Sequence, residues 1–468
     1  FISFYFLNEF VSYRIFKSII ALPIDKMKKM ATSIPNKKLL HVPVLIIGAG
    51  PVGLTLSLLL SKYGIRSHII EKETEIIDHP RAHFINTRTM EIFRSLGIDH
   101  EVYDRVRPLH EWRKFKYCTS VLGDENVVDI GETDHFSSDF YFQDVDDNNN
   151  KKNLYKELKK NSPSPVANLS QAKLTKILYN NVKENNNVNN NNNIDDNYDK
   201  QLGTIDMGME VESISFDNNK NNNTSSNTKM NNGHSIINVI SRVNNNNNNN
   251  DKTDGNNNNE KQRAIQCNYL IGADGAGSMV RQALNIELNG IPNMQYLINV
   301  HFHCPKLSQY LENRHAMLYF VFNHKTIAVF IAHDIEEGDW VVQIPYFPPQ
   351  QQPSDFDEEK CLAILKNALL CDDNNNNDKI ICKFEDLSVD IKSIKPWTMS
   401  GLVAETFMKN NMLLIGDAAH QFPPSGGFGM NTGIQDAHNL AWKLSKTLKY
   451  NNGESSTSSS SCSIDKKT

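Results

Sequence analysis

A short apolar run, Val44-Leu-Ile-Ile47, leads straight into Gly48-Ala-Gly50-Pro-Val-Gly53, and no other stretch limits the fold of this chain so tightly. The run has no alternation, as expected of a parallel strand buried on both faces. Pro51 suits the first turn of a helix, Leu54 to Leu60 continue it with apolar residues, and Gly64 is placed to end it in a left-handed cap. A second strand, His68-Ile-Ile-Glu71, follows at once. This is the βαβ opening of a dinucleotide fold, whose three glycines make the tight turn, let the backbone approach a pyrophosphate, and bring helix against strand. Glu71 falls where a ribose diol needs an acceptor. A lone Gly-x-Gly-x-x-Gly is weak; with the strand before it, the helix after it and the acid beyond, the nucleotide reading outweighs that of a structural turn.

Two later stretches repeat the strand-to-turn pattern. Tyr269-Leu-Ile-Gly-Ala-Asp274-Gly275-Ala-Gly-Ser278 enters a glycine turn carrying an acid, and Arg281 follows it. Leu413-Leu-Ile-Gly-Asp417-Ala-Ala-His420 enters another, then continues through Pro424, Gly427, Met430 and Asn431. After Asn431 the pattern turns helical, with Ile434, Ala437, Ala441 and Leu444 on one face and Thr432 and Gln435 placed as a capping box. A helix start there offers unpaired N–H groups and about half a positive charge to an anion or a reduced heteroaromatic ring.

Between these points lie strand-like runs, including Glu210 to Phe216, Ile236 to Val243 and Ala264 to Ile271. Four more between 297 and 346, followed by a helix from Glu358 to Leu369, suggest an antiparallel sheet of a substrate-facing α+β domain. Leu169 to Leu178 reads as a helix with Gln171 near its start. The loop Arg81-Ala-His83 precedes an amphipathic helix closed by Gly97; Arg81 and Arg88 are candidates for phosphate contact, although on sequence grounds alone a surface arginine paired with a nearby acid is the favoured reading of each. His301, His303 and Cys304 lack a further ligand at a metal-binding spacing, so no metal site is expected.

Of 468 residues, asparagine tracts near 147–153, 180–199, 218–232, 244–260 and 372–378 bury no apolar area and read as disordered insertions at loop tips. A hydrophobic fraction of 39% still suffices for a core. The net charge of -5 argues against a nucleic-acid footprint. Seven cysteines in no regular spacing read as reduced thiols of an intracellular protein, cytoplasmic or mitochondrial. Glu9, Arg14 and Lys17 interrupt the apolar opening, so no bilayer-spanning run is expected; residues 1–41 read as a disordered or presequence-like leader, with Met27 or Met30 as the start. Residues 451–468 read as a disordered tail, and nothing in the sequence fixes an oligomeric state.

Gly48 to Gly53 with Glu71, Gly272-Ala-Asp274-Gly275 through Arg281, and Gly416-Asp417-Ala-Ala-His420 through Asn431 occur in that order and spacing, and the chain resembles the class A flavoprotein aromatic hydroxylases. Trp397-Thr-Met399, Ala404, Phe407 and Asp436-Ala-His-Asn-Leu-Ala-Trp442 resemble the branch of chlorophenol monooxygenases and polyketide hydroxylases. The resemblance covers about residues 42–446 outside the asparagine tracts. It implies an α/β fold: a Rossmann-like FAD-binding domain, discontinuous over 42–118, 166–288 and 396–450, interleaved with an α+β substrate domain over 119–165 and 289–395.

The resemblance further implies FAD with its pyrophosphate at Gly48, Gly50, Pro51 and Gly53 and its adenosine ribose on Glu71. Arg81 and Gln171 match pyrophosphate-side residues, and Asp274 and Gly275 match a pair tied to FAD and NAD(P)H. Asp417 matches an acid of the ribityl or pyrophosphate region, and Pro424, Gly427, Met430 and Asn431 belong to the loop against the isoalloxazine. The implied reaction consumes NAD(P)H and O2 and hydroxylates a phenolic, quinol or polyketide-like aromatic through a flavin hydroperoxide. His83 aligns with a substrate-side acid of phenol hydroxylases and is the expected base or orienting group. The rival readings are an FAD-dependent reductase or oxidase on the same fold and a truncated, non-catalytic flavoprotein or asparagine-rich assembly protein. The Tyr-x-x-Glu-Arg-Arg-Pro helix that follows in the family has no counterpart after Leu448, which motivates the last of these.

Overall fold

The computed structural model describes residues 40–76, 82–123, 128–134, 162–187, 201–217, 236–243, 262–311, 314–370 and 382–451. Arg81, residues 1–39 and 452–468 and most of the asparagine-rich tracts lie outside the described residues; Leu40 and His41, expected in the leader, open the strand Leu40–Ile47, and Asn451, expected in the tail, ends the last helix. Two eight-stranded sheets carry the fold.

In the first sheet, Leu40–Ile47 lies at the centre, with Gln262–Gly272 on one side and Ser67–Ile70 on the other, all parallel. Met412–Leu414 extends it beyond Gln262–Gly272, and Gly203–Asp206 beyond Ser67–Ile70, again parallel. Val44, Leu45 and Ile46 are fully buried because helices cover one face and a second apolar cluster the other, which is why this strand reads as a continuous apolar run. The helix Pro51–Lys62 is buried along most of its length, because the helices Gln171–Asn187 and Phe428–Asn451 pack against it. Leu54, Leu56, Leu59 and Leu60 are at most 2% exposed, so truncating any one to Ala costs about 2–5 kcal/mol.

The second sheet is mostly antiparallel and runs from His420–Gln421 through Asp390–Ala404, Leu288–His303, Asp339–Tyr346, Ile327–Asp334 and Leu318–Phe322 to Lys114–Cys118 and Asp129–Asp134. The helix Glu358–Leu369, with Asp357 accepting from the Lys360 N–H as its cap, covers one face over Trp340, Phe302 and Phe330. Five described cysteines are buried and unpaired; burial pushes the Cys118 and Cys267 thiols up to about 12, well away from thiolate reactivity.

Several expectations change. The last helix begins at Phe428, not after Asn431, because Gly426 and Gly427 take left-handed backbone angles and turn the chain early; Thr432 and Gln435 therefore lie inside it and form no capping box. Asn180 to Asn187 is helical, the end of Gln171–Asn187, rather than the start of a disordered insertion: Asn181 bridges Glu101 and the Ile177 carbonyl. Lys114–Cys118 bonds into the second sheet through Leu318–Phe322, so that sheet begins before residue 119. Leu288–His303 and Asp390–Ala404 are longer than their apolar cores and pair from Leu288 and Ala404 to His303 and Asp390, with irregularities between Ile291 and Gln295 and between His301 and Phe302.

Candidate functional site

The parallel register brings the three glycine turns together. Ile47 stands beside Ile70 on one side and Gly272 on the other, and Gly272 stands beside Leu414. The chains leave the sheet still hydrogen-bonded: the Gly48 N–H donates to Ile70 O at 2.8 Å, Ala273 N–H to Ile47 O at 2.9 Å, and Ile415 N–H to Gly272 O at 3.0 Å. Residues far apart in sequence thus line one edge, the carboxyl end of a parallel sheet, where open α/β sheets bind their ligands.

The first turn is shaped by its glycines. A Cβ on Gly48, whose φ is +108°, would stand 2.4 Å from the Ala273 carbonyl oxygen, and one on Gly53 would stand 2.1 Å from the Gly48 oxygen. Gly50 differs: nothing lies within 4 Å of its Cβ position, so open space remains above the N-terminus of Pro51–Lys62. That space suits an anionic group approaching free N–H donors. Glu71 is fixed at its lip, Oε2 accepting from the Ala49 N–H at 2.7 Å and Oε1 from the Glu73 N–H at 3.0 Å.

In the second turn, Asp274 Oδ2 accepts from the N–H groups of Met279 and Val280 at 2.7 and 3.2 Å, capping the helix Met279–Ala283. Its Oδ1 is buried and has no hydrogen-bond partner, a deficit that a ligand hydroxyl or N–H would remove. Gly275 takes φ +79° beside it. Arg281, 8% exposed, donates from Nη1 to Ala418 O at 3.1 Å and from Nη2 to Ala276 O at 2.8 Å, tying the second turn to the third. Burial lowers its pKa, and the Asp274 charge opposes that.

The third turn exposes Asp417 on the single helical turn Gly416–Ala418, with its Oδ1 3.8 Å from the Cβ position of Gly429 in the first turn of Phe428–Asn451. Gly427 donates to Pro424 O at 3.0 Å, and a Cβ on it would stand 3.0 Å from the Phe84 ring. Asn431 is 1% exposed and spends its side chain within the protein: Nδ2 donates to Phe84 O at 2.9 Å and Gly427 O at 2.7 Å, and Oδ1 accepts from the Asn86 N–H at 2.9 Å. It therefore shapes the loop and leaves contacts with a ligand to the backbone around it. Met430 packs into the core beneath.

His83 precedes the short strand Phe84–Ile85, which pairs with Ala167–Asn168 in a separate two-stranded sheet. Its Nδ1 lies 2.8 Å from Asn168 Oδ1, and its ring meets that of His333, from the second sheet, edge-on with centroids 5.1 Å apart. Burial lowers its pKa, against the raising effect of the Asn168 hydrogen bond. Gln171 starts its helix beside this segment, its N–H bonding Ala82 O at 2.7 Å, so the residue flanking Arg81 touches the start of that helix. Arg88 instead pairs with Glu91 at 2.9 Å on the surface. His301 pairs with Asp339 at 2.6 Å, and among the described residues no group of three His, Cys, Asp or Glu side chains is placed to hold a metal. No helix among them is long and apolar enough to cross a membrane.

A parallel sheet with three glycine turns at its carboxyl edge defines a dinucleotide-binding protein. A family model described as an FAD binding domain matches residues 41–196 and 231–459, and the chain belongs to that family. A protein of Streptomyces halstedii named as a polyketide hydroxylase is 26% identical over 409 residues, covering 87% of this chain and 60% of its own length. The 2,4-dichlorophenol 6-monooxygenase of Delftia acidovorans is 26% identical over 416 residues, covering 88% and 58%. Among solved structures, the flavin-dependent monooxygenase PieE in complex with FAD and substrate is similar at a TM-score of 0.64 and 25% identity, covering 88% of this chain and 58% of its own. The ternary complex of aklavinone-11 hydroxylase with FAD and aklavinone shares the fold at a TM-score of 0.65 and 22% identity, covering 88% and 64%. The chain spans about three fifths of the length of the curated relatives it matches.

The residues present fit FAD: an open helix N-terminus at Gly50, a fixed carboxylate at Glu71, an orphaned carboxylate oxygen at Asp274 and an exposed acid at Asp417. All four residues are singled out in the sequence, which does not show the Ala49 N–H that orients Glu71, or Asn168, whose contact with His83 spans 85 positions.

Proposed function

We propose that the chain is an FAD-dependent monooxygenase that uses NAD(P)H and O2 to hydroxylate a phenolic, quinol or polyketide-like aromatic. The observation that carries this reading is the meeting of the three turns at one sheet edge with His83 close by, since Phe84, its neighbour, packs against Gly427. The pyrophosphate would lie over Gly48, Gly50, Pro51 and Gly53, with Arg81 and Gln171 on that side and the ribose on Glu71. Asp274, Gly275 and Asp417 would meet the middle of the cofactor, and the loop of Pro424 and Gly427, with the backbone of Met430 and Asn431, the ring side. FAD supplies the oxygen chemistry when bound; the protein binds, orients and shields.

The chain's own residues prepare the substrate. With an amide oxygen facing Nδ1 of His83, that nitrogen must carry the proton, which leaves the Nε2 lone pair to accept one. Burial lowers the His83 pKa, so the imidazole stays neutral and able to take a phenolic proton in mildly acidic solution. A deprotonated phenol is the more reactive partner for an electrophilic oxygen. The N-terminus of Phe428–Asn451 directs about half a positive charge towards the ring side, where reduction adds negative charge. The test is NAD(P)H consumption by the FAD-loaded chain across a panel of aromatic compounds, with product analysis. Stimulated consumption yielding a hydroxylated product supports the reading; consumption without oxygen transfer to any compound would assign a reductase or oxidase instead.

A further inference from the structure

Behind the exposed turn that carries Asp417 lies a buried histidine–carboxylate pair. His420 is 4% exposed, and its Nε2 is 2.6 Å from Asp436 Oδ2. The same Oδ2 accepts from the Gly416 N–H at 3.0 Å, so one carboxylate oxygen on Phe428–Asn451 grips both ends of the five-residue motif Gly416 to His420. Nδ1 of His420 is buried with no hydrogen-bond partner, so the proton belongs on Nε2, facing Asp436. The rings of Phe407 and Phe422 flank the imidazole at 6.1 and 5.0 Å and fix its plane.

We propose that His420 and Asp436 are positioning residues for the riboflavin half of the cofactor, acting through the backbone to aim Asp417. This rests on the reading that the third turn meets FAD. Gly416 has φ +60° and no side chain, and the next residue is Asp417; the backbone before Asp417 is held by the Gly416 N–H on Asp436 and by the Gly416 carbonyl, which accepts from the Ala419 N–H at 2.8 Å. Without His420, Asp436 loses the donor that sets its rotamer, and the Gly416 N–H loses a fixed partner. The Ala418 carbonyl remains tied to Arg281 and the Ala419 carbonyl to the Ala404 N–H, so the turn swivels about its far end rather than dissolving. Asp417 then loses its aim, while the hydrogen bonds that fix Glu71 and the end of the first strand, none of which involves Gly416 to His420, remain.

The experiment compares binding of FAD, by quenching of flavin fluorescence, with binding of ADP, by calorimetry, in the full chain. His420→Leu removes the donor, His420→Gln returns an N–H near the Nε2 position, and His420→Asn places one at the Nδ1 position instead. His420→Leu and His420→Asn are expected to weaken FAD about tenfold or more, as for a lost hydrogen bond to a charged group, with ADP affinity unchanged. His420→Gln is expected to stay within about threefold of the wild type, since it keeps that bond. Combined with Asp417→Ala, His420→Leu should cost nothing further, because both act on one contact. Additive losses, a parallel fall in ADP affinity in both His420→Leu and His420→Asn, or failure of His420→Gln to restore FAD binding would each overturn the proposal. A wild-type chain that binds ADP but not FAD would instead remove the cofactor reading beneath it.

Discussion

Gly50 and Gly53 are three residues apart in one turn, yet the structure gives opposite expectations for replacing them with alanine. At Gly50 the backbone angle, φ −72°, suits any residue, and no atom lies within 4 Å of a Cβ. Gly50→Ala therefore leaves the stability of the cofactor-free chain within about 1 kcal/mol, the only cost being a poorer helix cap. The added methyl instead fills the space above the helix start that a pyrophosphate would enter. At Gly53 a Cβ would stand 2.1 Å from the Gly48 oxygen, a backbone atom that cannot yield without moving the strand end, so Gly53→Ala costs about 1–3 kcal/mol or more before any ligand is added. Thermal or denaturant unfolding with and without FAD separates the two. At a free FAD concentration of about 100 Kd the wild type gains about 2.7 kcal/mol; if Gly50→Ala weakens binding about a hundredfold, the same FAD stabilises it by only about 0.4 kcal/mol. Loss of stability in cofactor-free Gly50→Ala, or an undiminished gain on adding FAD, would refute the reasoning.

Other consequences follow from the same geometry. Asp274→Asn keeps the shape of the second turn but removes a charge from beside Arg281 and replaces one carboxylate oxygen with a donor; FAD affinity should fall by about tenfold, read by flavin fluorescence. His83→Gln should leave FAD affinity unchanged while lowering the substrate-stimulated rate by about a hundredfold, as for loss of a general base, and a rate unchanged by this substitution removes His83 from the mechanism. Because burial depresses the His83 pKa below its ordinary 6.5, the unfolded chain binds this proton more readily than the folded one. Stability from this group is therefore complete above pH 6.5 and is lost as pH falls from there through the depressed value, a slope that His83→Gln abolishes in unfolding curves measured across that range.

The part of the fold that was legible in the sequence is the part where local pattern and tertiary environment agree. Val44 to Ile47 is buried on both faces, and its apolar run states that directly; the helix Glu358–Leu369 carries its own cap in Asp357 and its own apolar face. The start of Phe428–Asn451 was misplaced because the signal for it lies in the backbone angles of Gly426 and Gly427, while Thr432 and Gln435 imitate a cap they do not make. Asn180 to Asn187 is hidden because its polar composition resembles that of the neighbouring tract, and it is burial of Val182 in the core, with the contact of Asn181 with Glu101, that anchors it. At the site, the glycines and acids of the three turns were visible as motifs. Their supports were not: Asn168 beneath His83 and the Asp436 bond to Gly416 depend on long-range packing that leaves no local spacing to read.

The central claim is that three separated turns form one FAD site, and an equilibrium titration of the purified full chain with FAD, followed by flavin fluorescence, tests it most directly. Saturation at one FAD per chain, weakened both by Glu71→Ala in the first turn and by Asp417→Ala in the third, is the expected result. A chain that stays colourless and shows no saturable binding, or one whose affinity responds to only one of those turns, contradicts the account.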